Sequence, residues 1–268
     1  MRQIPLSRPL GGLTSLRDDV PHISDLAGLL AGVKPVVYLD ITDEDLGYID
    51  RLCAALKLVC LQPEAELGIT GFHQNPRSRM LLLGRERKTL KAAAGAWGRN
   101  PLDIDWGVLL GYPKCCVTAY RSWALARFRL PSFDIVRQTW ANSVGHGPYS
   151  FMLNNVFNFF SRCAAPALHD SDRQSCLAIH RRNERLSLHT LNVITWHPCS
   201  FHCAESLAKG EAIWSFLSDY VPSYAARLKY YLARPIVHFD KYEFVVLDAA
   251  GASRAGIEYK RLLPPWSL

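Results

Sequence analysis

The sequence lacks every feature of a membrane-spanning or exported chain. It has 268 residues and contains no stretch of about 18 uncharged apolar residues, so we expect no transmembrane helix. The N-terminal segment has no apolar run of about 7–15 residues, which a secretory signal needs. The composition is 49% hydrophobic and 21% charged, which excludes a disordered or collagen-like chain. We therefore expect a globular cytoplasmic protein.

Short motifs of several large enzyme classes are also missing. The chain contains no G-x-G-x-x-G, no Walker lysine loop, no G-x-S-x-G, no H-E-x-x-H and no kinase signature. The C-x-x-x-C-x-x-C triplet that is typical of radical-SAM enzymes is absent too. Dinucleotide binding, serine hydrolysis and zinc proteolysis therefore have no motif support.

Basic residues exceed acidic ones, 31 to 24, which gives a net charge of +7. This excess fits an anionic small molecule, an acidic partner or RNA. The segment 71–88 concentrates basic side chains around an Asn-Pro loop, where arginines can hold a carboxylate or phosphate. It predicts substrate-binding roles for His73, Arg77 and Arg79, with a solvated basic surface as the alternative.

The apolar pattern predicts an α+β fold. Residues 1–100 form a small α/β region, and residues 101–268 form a mainly helical, metal-binding region that ends in short strands. Strands are predicted near 35–41, 58–62, 79–85, 234–240 and 242–248. Helices are predicted over 42–57, 86–97, 106–128, 132–144, 151–163 and 198–221. The segment 187–196 reads as a strand or a buried connection.

The chain has eight cysteines and no export signal. Because the cytosol keeps thiols reduced, these cysteines are not expected to form structural disulfides. Metal ligands, reactive thiols and buried packing residues are the remaining interpretations. Two segments stand apart, Gly111–Cys116 and Trp196–Cys203, because in each a proline shortly precedes cysteines and helical sequence follows. The other cysteines have no paired spacing and are predicted to pack in the interior: Cys53, Cys60, Cys163 and Cys176.

Proline favours the first position of a helix, so Pro113 and Pro198 predict two helix starts. Cys115 and Cys116 would then lie in one first turn, and Cys199 and Cys203 one turn apart on one face of another helix. A helix N-terminus stabilises thiolates. We predict that the two segments meet and bind a metal through four ligands: Cys115, Cys116, Cys199 and Cys203.

Adjacent cysteines on a helix project about 100° apart, which is unfavourable for one zinc tetrahedron. A cubane accepts neighbouring thiolates on different irons, and all-thiolate ligation is its normal mode. The predicted cofactor is therefore a 4Fe–4S cluster, with zinc or no metal as alternatives.

The Tyr-Pro-x-Cys-Cys and Pro-Cys-Ser-x-x-Cys segments resemble those of an uncharacterised prokaryotic family, a domain of unknown function. The matching positions are Tyr112, Pro113, Cys115, Cys116, Pro198, Cys199, Ser200, Cys203 and Ser206. The resemblance covers about residues 105–210. It implies that the cysteines act as a set, and it implies no particular activity.

These observations predict an iron–sulfur enzyme that acts on a small anionic substrate by lyase, sulfur-transfer or redox chemistry. His197 would handle a proton, and Tyr112 would join the basic residues of segment 71–88 in binding the substrate. If three of the four cysteines hold the cluster, one iron is open and acts as a Lewis acid on the substrate. If all four hold it, the cluster is an electron carrier, supplied by a donor protein, or a scaffold. The alternatives are an RNA-binding or RNA-modifying protein with a structural metal, and a metal-free enzyme with a cysteine nucleophile.

Overall fold

The computed structural model describes residues 3–69, 78–100, 102–126, 135–143, 149–155, 190–233, 236–240 and 243–246. Within these ranges the fold is α+β, as predicted. The strands are β1 (Gln3–Leu10), β2 (Leu13–Arg17), β3 (Val36–Ile41), β4 (Val59–Leu61), β5 (Arg79–Gly84), β6 (Ile236–Asp240) and β7 (Glu243–Val246). None of the helices in these ranges combines the length and apolar character needed to cross a membrane.

Helices alternate with the first strands and then dominate the middle of the chain. They are α1 (Ile23–Leu30), α2 (Asp43–Leu56), α3 (Pro63–Leu67), α4 (Arg87–Arg99), α5 (Ile104–Leu109), α6 (Lys114–Ala126), α7 (Ile135–Ala141), α8 (Ala204–Tyr220) and α9 (Pro222–Leu232). A 3-10 turn covers Phe151–Leu153. Asp45 and Thr42 form a capping box at the start of α2, where an Asp-rich segment follows β3.

The N-terminal region is built on a three-stranded antiparallel sheet in the order β3-β5-β4. Alternate residues of β5 enter different cores, with Leu81 and Leu83 on one face and Met80 and Leu82 on the other. Helix α2 covers the first face and α4 covers the second. Because both faces are covered, the strand reads as a continuous apolar run.

A separate core holds the cysteine-bearing segments. It joins residues of β1 and α1, such as Ile4 and Ile23, to residues of α8 and α9, such as Leu217 and Tyr224. Cys116 is part of this core, together with the apolar segment 191–196 and Cys203. Residues from both sides of the predicted boundary near residue 100 therefore pack together.

Three predicted helices differ from the structure. The predicted helix 106–128 is divided into α5 and α6, with a turn between Leu109 and Lys114. Helix α8 begins at Ala204, so the segment 198–203 is a turn and not the first part of a helix. The segment 151–155 forms only the 3-10 turn and an extended exit, and the rest of the predicted helix lies outside the described residues. Residues 190–196 form a buried connection, which is one of the two predicted forms.

Candidate metal centre

Four cysteine side chains meet at one point, although they come from two distant segments. The Sγ atoms of Cys115, Cys116, Cys199 and Cys203 all lie within 4.8 Å of one another. This confirms the prediction that the two Pro-Cys segments come together in space. A cluster of four thiols at this spacing is able to bind a metal.

Helix α6 supplies the first pair. It begins at Lys114, and the Val117 amide donates to the Pro113 carbonyl at 3.0 Å, so Cys115 and Cys116 lie in its first turn. Pro113 is therefore the residue directly before the helix. The first turn of a helix carries free N–H groups and the positive end of the helix dipole, which favour thiolates.

The second pair comes from the turn before α8. Cys203 is the N-cap residue of α8, and its carbonyl accepts from the Leu207 amide at 2.9 Å. The sequence predicted that Cys199 and Cys203 lie one turn apart on a helix, and this is wrong. Both residues precede the regular helix, and only Cys203 touches its first turn.

Helix α7 explains why the segment 198–203 is not helical. Thr139 Oγ1 donates to the Pro198 carbonyl at 2.9 Å, and Asn142 Nδ2 donates to the Cys199 carbonyl at 2.9 Å. In a helix these carbonyls would accept from amides four residues ahead. Since Thr139 in α7 and Asn142 just after its end donate to these carbonyls, the backbone of the turn has partners without helical hydrogen bonds.

The sulfur atoms are close-packed and unequally exposed. Cys203 Sγ lies 3.5 Å from Cys116 Sγ and 3.6 Å from Cys115 Sγ. Cys116 is 1% exposed and Cys203 is 8% exposed, whereas Cys199 is half-buried and Cys115 is exposed. The Sγ atoms of the adjacent residues Cys115 and Cys116 are 3.9 Å apart. Although neighbouring side chains on a helix are expected to point apart, these two sulfurs lie close together.

Hydrogen bonds to Cys116 link the cluster to its surroundings. The Cys199 amide donates to Cys116 Sγ at 3.3 Å, and Ser206 Oγ lies 3.1 Å from the same sulfur. Trp196 Nε1 donates to Ser206 Oγ at 2.9 Å. In the sequence, only the family resemblance pointed to Ser206. Nothing in the sequence predicted the hydrogen bond between Trp196 and Ser206.

Contacts among the four thiols shift their pKa values in opposite directions. Hydrogen bonds from Cys116 and Cys199 lower the pKa of the Cys203 thiol. Hydrogen bonds to Cys199 and Cys203, together with burial, raise the pKa of Cys116. The four thiols therefore differ in pKa because they contact one another, and metal binding releases the protons of cysteine ligands.

His197 adjoins the cluster in sequence and is held by other side chains. Asn155 Nδ2 lies 2.5 Å from His197 Nδ1, so the amide donates and the ring nitrogen accepts. The ring stacks on Tyr120 with centroids 5.5 Å apart. These contacts orient the imidazole, and its catalytic role stays a prediction.

The two predicted substrate-binding residues that the structure describes, Tyr112 and Arg79, both contact other side chains of the protein. Tyr112 packs against Trp196, with ring centroids 5.5 Å apart, and Lys34 Nζ lies 4.8 Å from the Tyr112 ring centroid. Arg79 lies on β5 and its Nε forms an ion pair with Asp43 Oδ1 at 2.6 Å. His73 and Arg77 lie outside the described residues. Their substrate roles stay predictions.

Two of the remaining cysteines are packing residues, as predicted. Cys53 belongs to the core that α2 forms with the sheet, and Cys60 packs against it. Burial raises the pKa of Cys53 to about 11 and that of Cys60 to about 12, so both stay protonated and unreactive at neutral pH. Cys163 and Cys176 lie outside the described residues.

Comparison of the chain with protein-family models, curated proteins and solved structures finds no match. The functional argument therefore depends on the geometry of the four cysteines and their neighbours.

Proposed function

We propose that the protein is a metalloprotein in which Cys115, Cys116, Cys199 and Cys203 bind one tetrahedral metal ion, zinc or iron. The observation that carries this proposal is the convergence of all four Sγ atoms within 4.8 Å. Thiolates select zinc and iron among the common metals, and a tetrahedral set of four sulfurs is typical of both.

The spacing of the sulfur atoms supports a single ion. Four sulfurs at bonds of about 2.3 Å from a tetrahedral centre stand about 3.8 Å apart. Three of the pairs here are separated by 3.5, 3.6 and 3.9 Å, and all four sulfurs lie within 4.8 Å of one another. A cubane attaches each cysteine to a different iron, so its ligand sulfurs stand farther apart. The geometry therefore favours one ion over the 4Fe–4S cluster predicted from the sequence.

The surroundings of the cluster support an anionic centre. Four thiolates around a divalent cation carry a net charge of −2 in this arrangement, which needs compensation. The first turn of α6 and the start of α8 place two positive helix ends at the sulfurs. The Cys199 amide adds a direct hydrogen bond to Cys116 Sγ.

A bound ion would join parts of the chain that little regular structure holds together. Cys199 lies in a turn, and it meets Cys116 from 83 positions away in the sequence. Such an ion stabilises the folded state. If one coordination position opens, the ion also acts as a Lewis acid. The protein residues contribute the positions, hydrogen bonds and partial burial of the four sulfurs.

Metal analysis of the purified protein tests this proposal. The chain is prepared anaerobically with a phosphine reductant, and zinc, iron and acid-labile sulfide are measured per chain. One zinc or one iron without sulfide is expected, and Cys116→Ala and Cys203→Ala are expected to lose it. Cys53→Ala is the matched control, because Cys53 is buried in a different core and should leave the metal content unchanged. A metal-free protein with a rapidly alkylated cysteine overturns the proposal and favours a cysteine nucleophile.

An iron–sulfur enzyme acting on a small anionic substrate is the second candidate. The exposure of Cys115 favours it, because one side of the centre is open to small molecules. The amide hydrogen bond to Cys116 Sγ is also of the kind that tunes cluster reduction potentials. In this case His197 would move the proton. About four irons with sulfide, and broad absorbance near about 400 nm, would select this candidate over a single ion.

A further inference from the structure

A buried chain of hydrogen bonds runs from Trp196 through Ser206 to Cys116, one of the four sulfur ligands. An indole N–H is only a donor, so Ser206 Oγ must accept from Trp196 Nε1 at 2.9 Å. A thiolate only accepts, so when Cys116 is a metal ligand the Ser206 hydroxyl donates to its Sγ, 3.1 Å away. Ser206, Trp196 and Cys116 are 0%, 3% and 1% exposed, so water does not compete for these contacts.

Cys116 Sγ also accepts a second hydrogen bond, from the Cys199 amide at 3.3 Å. Two donors on one thiolate spread its negative charge and hold its position. Such contacts around a metal ligand act on ligand orientation and metal affinity, although they never touch the ion.

Cys115 has the opposite environment. Its side chain is exposed, and the hydrogen-bonding neighbours of its Sγ, among the described residues, are the other three cysteine sulfurs. A metal-bound thiolate at this position would meet solvent on one side. It would therefore be the easiest of the four ligands to replace.

We propose that the centre is asymmetric, with Cys116 as the permanent ligand, positioned by Ser206 and Trp196, and Cys115 as the ligand that a small-molecule thiolate replaces. This inference rests on the proposed metal site and names a ligand class for it. A thiolate fits because the other three donors are sulfurs and both candidate metals bind soft donors. Ser206 and Trp196 are positioning residues in this account.

The test uses the full chain loaded with Co²⁺, whose thiolate charge-transfer absorption reports the number of sulfur ligands. We expect Cys115→Ala to bind Co²⁺ more weakly, with a reduced band that rises again when 2-mercaptoethanol is added. Cys116→Ala should show no such recovery, because a small thiol cannot reach the buried position. Ser206→Ala should bind Co²⁺ about 10–100-fold more weakly, and Ser206→Thr should restore binding.

Circular dichroism establishes that each variant is folded, and Cys115→Ser repeats the test with a polar replacement. Equal loss of Co²⁺ from Cys115→Ala and Cys116→Ala, or unchanged affinity in Ser206→Ala, overturns the asymmetric centre and leaves the metal site intact. Absence of a Co²⁺ band in the unmodified protein overturns the metal site itself, and with it this inference.

Discussion

The Sγ atoms of Cys116 and Cys203 lie 3.5 Å apart, although 87 positions separate the two residues in the chain. This contact brings the first turn of α6 to the start of α8. Behind it lies the core that α1, α8 and α9 form with the segment 191–196. The candidate metal centre is thus an extension of a packed core and not an isolated loop on the surface.

Removal of the metal should lower the thermal stability of the protein. A ligand that binds only the folded state adds about 4 kcal/mol when its concentration is 1,000 times its dissociation constant. Thermal unfolding followed by circular dichroism, with and without a chelator, measures this contribution. Cys53→Ala should respond to the chelator like the unmodified protein, and a transition that ignores the chelator would contradict a structural role for the ion.

Gly111 should not tolerate a side chain. Its φ is +85°, and a Cβ there would lie 2.5 Å from the Val33 carbonyl oxygen, which is backbone and cannot move aside cheaply. Gly111→Ala should therefore cost at least the roughly 1–2 kcal/mol of a left-handed conformation in a residue with Cβ. The midpoint of urea denaturation measures this loss.

Gly210 is the matched control for that substitution. It lies inside α8, and an added Cβ would find its nearest neighbour, Ile194 Cγ2, at 3.5 Å, an ordinary contact. Gly210→Ala should raise stability by roughly 0.5–1 kcal/mol, because alanine loses less backbone entropy in a helix. A midpoint that stays the same or rises in Gly111→Ala contradicts the geometry described for Gly111, and a lower midpoint in Gly210→Ala contradicts the open space at Gly210.

Ser143 should support the turn that holds Cys199. Its buried Oγ accepts from the Phe201 amide at 2.8 Å and donates to the Thr139 carbonyl at 2.6 Å. Ser143→Ala removes the acceptor of a buried amide, which costs about 1–3 kcal/mol. The urea midpoint and the Co²⁺ affinity should both decrease, whereas Ser15→Ala, which removes the hydroxyl donor to Gln3 in the β1–β2 hairpin, should leave the Co²⁺ affinity unchanged. If Ser143→Ala binds Co²⁺ with unchanged affinity, the prediction that Ser143 holds the turn in place for metal binding is contradicted.

The ion pair between Lys34 and Asp25 should be among the strongest single determinants of stability. Lys34 is 2% exposed, and its Nζ bonds to Asp25 Oδ1 and to Thr195 Oγ1, the latter at 2.7 Å. Lys34→Met leaves the carboxylate buried without its cation, so we expect a loss of about 3–5 kcal/mol at neutral pH. Arg79→Ala breaks the exposed pair with Asp43 and should cost about 1 kcal/mol or less.

The same pair predicts a dependence of stability on acid pH. Burial alone would raise the pKa of Asp25, but the Lys34 ammonium and other neighbours hold it below 3.8. The contribution of Asp25 is therefore present above pH 3.8 and is lost as the pH falls through the lower folded pKa. Without Lys34, burial should raise the pKa of Asp25, so the variant should differ most from the unmodified protein at neutral pH. A constant difference between pH 3 and pH 7 would contradict this coupling.

Strong local patterns predicted the N-terminal elements correctly. The apolar run of β5 and the capping box of α2 are signals that neighbouring residues carry by themselves. The β1–β2 hairpin was not predicted, because its strands mix polar and apolar residues at a largely exposed surface. Its signal was the Gly11-Gly12 pair, whose φ values of 58° and 88° suit the tight turn.

Errors in the prediction fall where distant side chains bind the backbone. The segment 198–203 has a helical pattern, but Thr139 in α7 and Asn142 just after it donate to carbonyls that a helix would use. Asn155 similarly donates to the Trp196 carbonyl at 3.0 Å and leaves its own segment extended. Hydrogen bonds of this kind join residues more than 40 positions apart, so no local pattern predicts them.

The amino-acid sequence alone determined which residues were able to form a thiolate site, because reduced cysteines behind paired prolines limit the possible chemistry. Only the tertiary structure decided that the two pairs converge and how far apart their sulfurs stand. It also decided that Cys116 is buried and hydrogen-bonded while Cys115 meets solvent. Ligand spacing and exposure depend on how α6, α7 and α8 pack, and packing joins residues that the linear order keeps apart.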